Sequence, residues 1–209
     1  MISGILGRKI GMTHIFNDER KMVPVTVIQA GPVYITQIKT VEKDGYSAIQ
    51  VGFEEKSDKS LTFPKYGHLK KAGVKKNLRI LKEFRVESIE GFELGQEINL
   101  ETFEAGAEVV VSAKSKGRGF QGVVKRHGFA GQQKTHGFRR TLRTPMSNGA
   151  TDAARVLKGS KRPGQMGNKK VTQPGLKIVQ VDIERNLLLV DGSIPGSVGG
   201  LVEIKKVGK

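Results

Sequence analysis

At 209 residues, with a formal net charge of +16 and a sequence pI near 10.1, the chain is long enough to bury a real core and basic enough to attract polyanions. It has no Cys, and His14, His68, His127 and His136 are scattered without ligand spacing, so neither a disulfide frame nor a metal site is expected, and no cofactor. No apolar run approaches the roughly 18 to 20 residues that span a bilayer, which makes a membrane the weaker reading of the charge and nucleic acid the stronger.

The start, Met1 to Phe16, holds Gly4, Gly7 and Gly11 without a hydrophobic run of signal-peptide type, and reads as mature protein of a cytosol-like compartment. Lys9 to Phe16 and Lys21 to Ala30 suit strands, with Val23, Val25 and Val27 on one face and Asn17-Asp18 as the turn. Pro24 predicts a free edge or a bulge there. Tyr34 to Val41 and Ser47 to Phe53 repeat the pattern across Asp44-Gly45. Residues 54–91 lose the signal. They are Lys-rich, with Pro64, Gly67 and Gly73, and read as an irregular excursion whose apolar patch, Leu78 to Phe84, fits a short helix or a strand. Lys70, Lys71, Lys75, Lys76 and Arg79 fit an RNA contact and a solvated face equally well. Strand signals resume at Gln96 to Phe103 and Glu108 to Ser112, then at Leu176 to Ile183, Leu187 to Val190 and Leu201 to Val207, with turns at Asp191-Gly192 and Pro195-Gly196. Many short strands with frequent turns predict a mainly β fold, a barrel or a sandwich.

Residues 113–173 break that pattern. They hold 15 of the chain's 36 Lys and Arg but only one of its 20 acidic residues, Asp152, so they carry +14 of the net +16. Ten glycines and few large aliphatics leave too little apolar surface to offset a backbone ordering cost of about 1 to 2 kcal/mol per residue. The segment is therefore predicted to be a basic extension of 113–173, inserted between strands of a globular domain formed by 1–112 and 174–209, and ordered by something outside the chain.

Gly117-Arg118-Gly119-Phe120-Gln121-Gly122 fits G-x-G-x-x-G, but an enzyme is the minor reading. The next residues, Lys125 to Gly128, open no apolar helix, and the first acidic residue afterwards is Asp152, too late for a ribose ligand. No H-R-D or D-F-G supports a kinase. Glycines that let a backbone approach phosphates, beside Arg118, explain the stretch more simply. Glu54, Glu55, Glu101, Glu104 and His14 read as solvated or structural groups, so no catalytic residue is assigned.

The candidate nucleic-acid contacts are Lys114, Lys116, Arg118, Lys125, Arg126, His127, Lys134, Arg139, Arg140, Arg143, Arg155, Lys158, Lys161, Arg162, Lys169 and Lys170. The Arg-rich middle suits bidentate phosphate contacts. Phe120, His127, Phe129, His136 and Phe138 can stack on unpaired bases, and Phe120 can equally be an anchor at the root. About ten phosphate contacts would give a log K against log salt slope of roughly −7 to −9. A coreless polycation closed at both ends by strands suits threading into folded RNA; DNA architecture is the alternative.

Several blocks in order resemble the bacterial-type large-subunit ribosomal protein L-three family: Gly7-Arg8-Lys9-Ile10-Gly11-Met12-Thr13, Ser115 to Gly122 leading to Lys125-Arg126, Gly164-Gln165-Met166-Gly167 with Val171-Thr172, and Val181 to Val190 closing with Ile194-Pro195-Gly196. The resemblance implies a closed six-stranded translation-protein-type β-barrel with a mostly irregular extension that penetrates large-subunit (23S-type) rRNA towards the peptidyl transferase centre. It also implies a role in nucleating subunit assembly, neighbouring large-subunit ribosomal proteins as partners, no small-molecule substrate, and a cytoplasmic or organellar ribosome as location. By position the root is Lys114 to Arg126 and the return limb Lys158 to Val171. The extension tip falls around Pro145, Met146, Ser147, Asn148 and Gly149. Many bacterial members have a Gly- and Gln-rich tip, in some with a methylated glutamine. Here Pro145 to Asp152 contains no Gln, so that stretch offers no acceptor.

Overall fold

The computed structural model describes residues 4–17 and 19–207, and most stretches of alternating apolar residues form strands in it. In chain order the first elements are β1 Gly4–Phe16, β2 Met22–Ala30, β3 Val33–Lys39, helix α1 Val41–Asp44 and β4 Ala48–Glu55. Helix α2 Phe63–Lys71, β5 Leu78–Arg85, β6 Glu97–Ile98, a 3-10 turn at Leu100–Thr102 and β7 Glu108–Lys114 follow. Next come β8 Phe120–Gln121, α3 Val123–His127, a 3-10 turn at Phe138–Arg140 and β9 Gly164–Gln165, and the chain ends with β10 Lys170–Asp182, β11 Leu187–Asp191 and β12 Leu201–Lys206. Two compact units result: Met1–Lys114 with Lys170–Lys209, and Ser115–Lys169.

In the first unit six antiparallel strands close into a ring in the order β1-β12-β7-β10-β11-β2, with β2 pairing back to β1. Closure leaves no long edge for association. The period of two sends one face inward: Ile28, Val111, Ile178, Leu188, Val190, Val202 and Ile204 are buried. Each such side chain contributes about 1.5 to 3 kcal/mol over an exposed one. Pro24 sits one residue beyond the β11 ladder, which ends at Asp191 opposite Val25, so its missing N–H costs no hydrogen bond on that side. The bulge in this hairpin lies in β1, between Lys9 and Gly11. The expected turn at Asn17-Asp18 includes Asp18, which is outside the described residues.

A second sheet of four strands runs β5-β4-β3-β6 and shares the core through Ile35, Ile49, Val51, Phe53 and Phe84. A Cβ on Gly4 would lie 2.6 Å from the Phe84 ring, so the glycine is what lets β1 and β5 pack this closely. Helix α2 closes the outer side of this sheet, where Leu69 packs with Tyr34 and Leu78.

Three expectations need correction. Residues 54–91 are not simply irregular: they contain α2, and the patch at Leu78 to Phe84 is strand β5, paired with β4 from Glu55 opposite Leu78 to Ala48 opposite Arg85. Gln96 to Phe103 is strand only at Glu97–Ile98. Leu100 and Phe103, three apart, are both buried, a spacing that a 3-10 turn satisfies and a strand does not. A helix does follow Gly122, but Gly128 at φ +75 ends it after five residues.

Candidate nucleic-acid interface

Within Ser115–Lys169 the outgoing and returning chains run antiparallel. Ser115 N–H donates to Lys169 O at 2.8 Å, and Asn168 N–H to Ser115 O at 3.2 Å. Arg118 N–H donates to Met166 O and Met166 N–H to Gly119 O, each at 2.9 Å, and then β8 pairs with β9. Gly167, at φ +71, is required by this closure, because a Cβ there would run into the Lys116 carbonyl oxygen. Val123 alone among the described residues of this unit is buried, so backbone hydrogen bonds rather than apolar burial hold the stem.

Beyond the stem, three of the candidate contacts act as internal ties. Arg126 donates from Nη1 to the Arg162 carbonyl at 2.6 Å, and His127 Nε2 lies 3.1 Å from the same oxygen. Arg162 in turn donates to Asn148 Oδ1 and, at 3.3 Å, to the Asn148 carbonyl. These links fasten the return limb to α3 and the tip to the return limb, and all three side chains are half-buried. A further close approach fixes the next loop: a Cβ on Gly131, at φ +75, would come 2.5 Å from Leu142 O, which accepts from Gln132 N–H at 3.0 Å.

The remaining cations are differently placed. Lys116, Arg118, Lys125, Lys134, Arg139, Arg140, Arg143, Arg155, Lys158, Lys161 and Lys169 are exposed. Among the described residues, no Lys or Arg of Ser115–Lys169 forms an ion pair; every pair found lies in the first unit. Thirteen positive charges against Asp152 therefore stand uncompensated within this unit, a field that favours a polyanion.

Lys114 and Lys170 face each other in the first unit, at the end of the β7–β10 ladder. Lys170 is held by Glu203 at 2.6 Å, which Lys82 also reaches at 3.0 Å. Burial pushes the Glu203 carboxyl up, and hydrogen bonds from Lys170 and Lys82 outweigh it, so the net shift is below the usual carboxylate value.

Phe120 is 76 % exposed, an exposure that suits a stacking ring. His127 and Phe129 stand with ring centroids 6.1 Å apart. At the tip, Met146, Ser147, Asn148 and Gly149 are exposed and Pro145 is half-buried. Gly149 N–H donates to Ser147 Oγ at 3.2 Å.

The family model for Ribosomal protein L3 matches residues 82–186. Over 207 residues, covering 99% of this chain and 98% of the relative, the chain is 54% identical to the large ribosomal subunit protein uL3 of Roseiflexus sp.. It is 51% identical to that of Heliobacterium modesticaldum, over 97% of this chain and 95% of the relative, and 52% identical to that of Thermosipho africanus, over 96% of each. The chain belongs to the ribosomal protein L3 family.

The first unit of this L3 family member holds a polarity that its net charge of +4, from 23 Lys and Arg against 19 Asp and Glu, hides. Residues 59–82 carry eight Lys or Arg and no acidic residue, whereas residues 86–113 carry seven Glu and no Lys or Arg. Glu90, Glu97 and Glu101 line a cleft of about 450 Å³ within that acidic run. Counting charge over shorter windows would have revealed both. An acidic run of this kind repels RNA, and a basic run of this kind attracts it.

Proposed function

We propose that this chain is a structural constituent of the large ribosomal subunit, and that it binds 23S-type rRNA with Ser115–Lys169 as the part that enters folded RNA. One observation carries the reading: eleven exposed cations without an ion pair among the described residues, on a unit with one buried side chain and a backbone-bonded stem. Counterion release from phosphates supplies the binding free energy, and the RNA supplies the surroundings that an apolar core would otherwise provide. Arg139, Arg140, Arg143 and Arg155 are the bidentate phosphate contacts. Arg126, His127 and Arg162 shape the extension, and Lys114 and Lys170 flank its root.

In this reading the six-stranded ring is a barrel of the translation-protein type that stays at the subunit surface among neighbouring ribosomal proteins, while the extension runs towards the peptidyl transferase centre and helps nucleate assembly. The role is architectural and assigns no residue a catalytic step. Its relatives are bacterial, which supports the cytoplasmic ribosome as its location. Deleting residues 128–155 removes Lys134, Arg139, Arg140, Arg143 and Arg155 while keeping the ring intact. The expected result is a folded protein that supports poor large-subunit assembly; normal, fully active subunits would overturn the proposal.

A further inference from the structure

Helix α2 presents an aromatic and basic face that none of the described residues covers. At about 100° per residue, Phe63, Tyr66, Gly67 and Lys70 fall within one arc of about 100°. On the opposite side Leu69 and Ala72 are buried at 2 % and 4 % exposure. Phe63 is 91 % exposed and Tyr66 50 %, unusual for two large rings on one surface helix. Lys70 lies on this arc and Lys71 about 40° beyond Gly67, and among the described residues neither is ion-paired.

Gly67 is the independent clue. It lies inside α2, where glycine is the least favoured residue after proline. Its φ is not left-handed, and a Cβ there would meet nothing within 4 Å. The chain's own packing therefore has no use for this glycine, yet it bares the backbone beside the two exposed rings. A bare backbone beside stacking rings and unpaired lysines is what a nucleic acid needs for close approach.

We infer that the Phe63–Tyr66–Gly67–Lys70 face of α2 is a second RNA-binding surface, separate from Ser115–Lys169, that stacks an unpaired or bulged base between or upon the two rings while Lys70 and Lys71 meet the flanking phosphates. The inference rests on the rRNA-binding reading above and adds to it a site in the globular unit. The run that contains this face, 59–82, holds eight Lys or Arg and no acidic residue, which suits the assignment.

The test uses the full chain and a transcript of large-subunit rRNA, with binding measured across a range of salt. Phe63→Ala/Tyr66→Ala is expected to weaken binding roughly 10-fold or more with unchanged Tm, since both rings are exposed. Lys70→Gln/Lys71→Gln should lower the steepness of the salt dependence by about 1.4 to 1.8. Gly67→Ala should raise Tm and weaken binding together, a pairing that a purely structural glycine would not give. A wild-type chain that fails to bind the transcript would remove the rRNA reading itself. Wild-type binding that is weakened by deleting residues 128–155 but untouched by all three α2 changes would overturn this inference alone. Loss of binding to an acidic polypeptide such as poly-glutamate, with transcript binding unchanged, would overturn the RNA assignment in favour of a protein.

Discussion

In the sheet-forming unit Arg8 lies 2.5 Å from Glu54, Lys39 2.9 Å from Glu83, and Lys82 and Lys170 share Glu203; in Ser115–Lys169 thirteen Lys and Arg have Asp152 as their only acidic companion and no ion pair among the described residues. The first unit stands on burial of Ile, Leu and Val, and its paired surface charges add little, since exposed pairs contribute about 0 to 1 kcal/mol. The second stands on backbone hydrogen bonds and close glycine approaches, and its cations are kept available. A substitution should therefore be felt as lost stability in one unit and as lost binding in the other.

The sharpest contrast is between two leucines. Leu188→Ala in β11, where the side chain is fully buried, is expected to cost about 2 to 5 kcal/mol. Leu157→Ala in the second unit, at 59 % exposure, should stay within about 0.5 kcal/mol, both measured by chemical denaturation. Equal losses would erase the distinction. Next in size is Gly167→Ala, which forces φ +71 on an alanine and drives its Cβ at the Lys116 carbonyl. Strain of this kind costs on the order of 1 to 3 kcal/mol. It should appear as faster amide exchange at Ser115, Arg118 and Met166 with β11 protection unchanged.

The smallest expected effect is at Glu203. Because its folded-state carboxyl lies below the usual value, its contribution is present above the unfolded carboxylate pKa and is lost as pH falls through the folded one. Glu203→Gln should be slightly less stable than wild type at neutral pH, and the gap should close on acidification below the ordinary carboxylate range. A gap that widened on acidification would contradict the paired arrangement with Lys170 and Lys82.

What the sequence made legible depended on which physical signal each part carries. β4 announces itself because Ile49, Val51 and Phe53 alternate and are all buried, and β11 because Leu187 to Val190 is a continuous apolar run. In β2 the strand was legible but its face was not, since the buried residues are Val25, Thr26, Ile28 and Ala30 and not the series Val23, Val25, Val27. β5 was obscured by Lys82, which occupies the place in the series Leu78, Ile80, Lys82, Phe84 where an apolar residue would complete the period. Lys82 is exposed and paired with Glu203 of β12, a contact between distant parts of the chain that no local pattern reveals. The ring order, with β12 between β1 and β7, is likewise tertiary information. In the candidate interface, charge density marked residues 113–173, because charge is additive along a chain. It could not separate the exposed Arg139, Arg140 and Arg143 from Arg126 and Arg162, which face carbonyls of their own unit. The aromatic face of α2 was masked for a similar reason: Phe63 and Tyr66 are ordinary core residues until their exposure is seen.

The claim that the uncompensated cations exist to meet RNA is tested most directly by placing a photo-crosslinking side chain at Lys116, Arg140 or Lys161 in turn and assembling each variant into large subunits. The account predicts crosslinks to large-subunit rRNA from all three positions. Crosslinks from Arg140 to protein alone, or none at all from a fully assembled subunit, would contradict it.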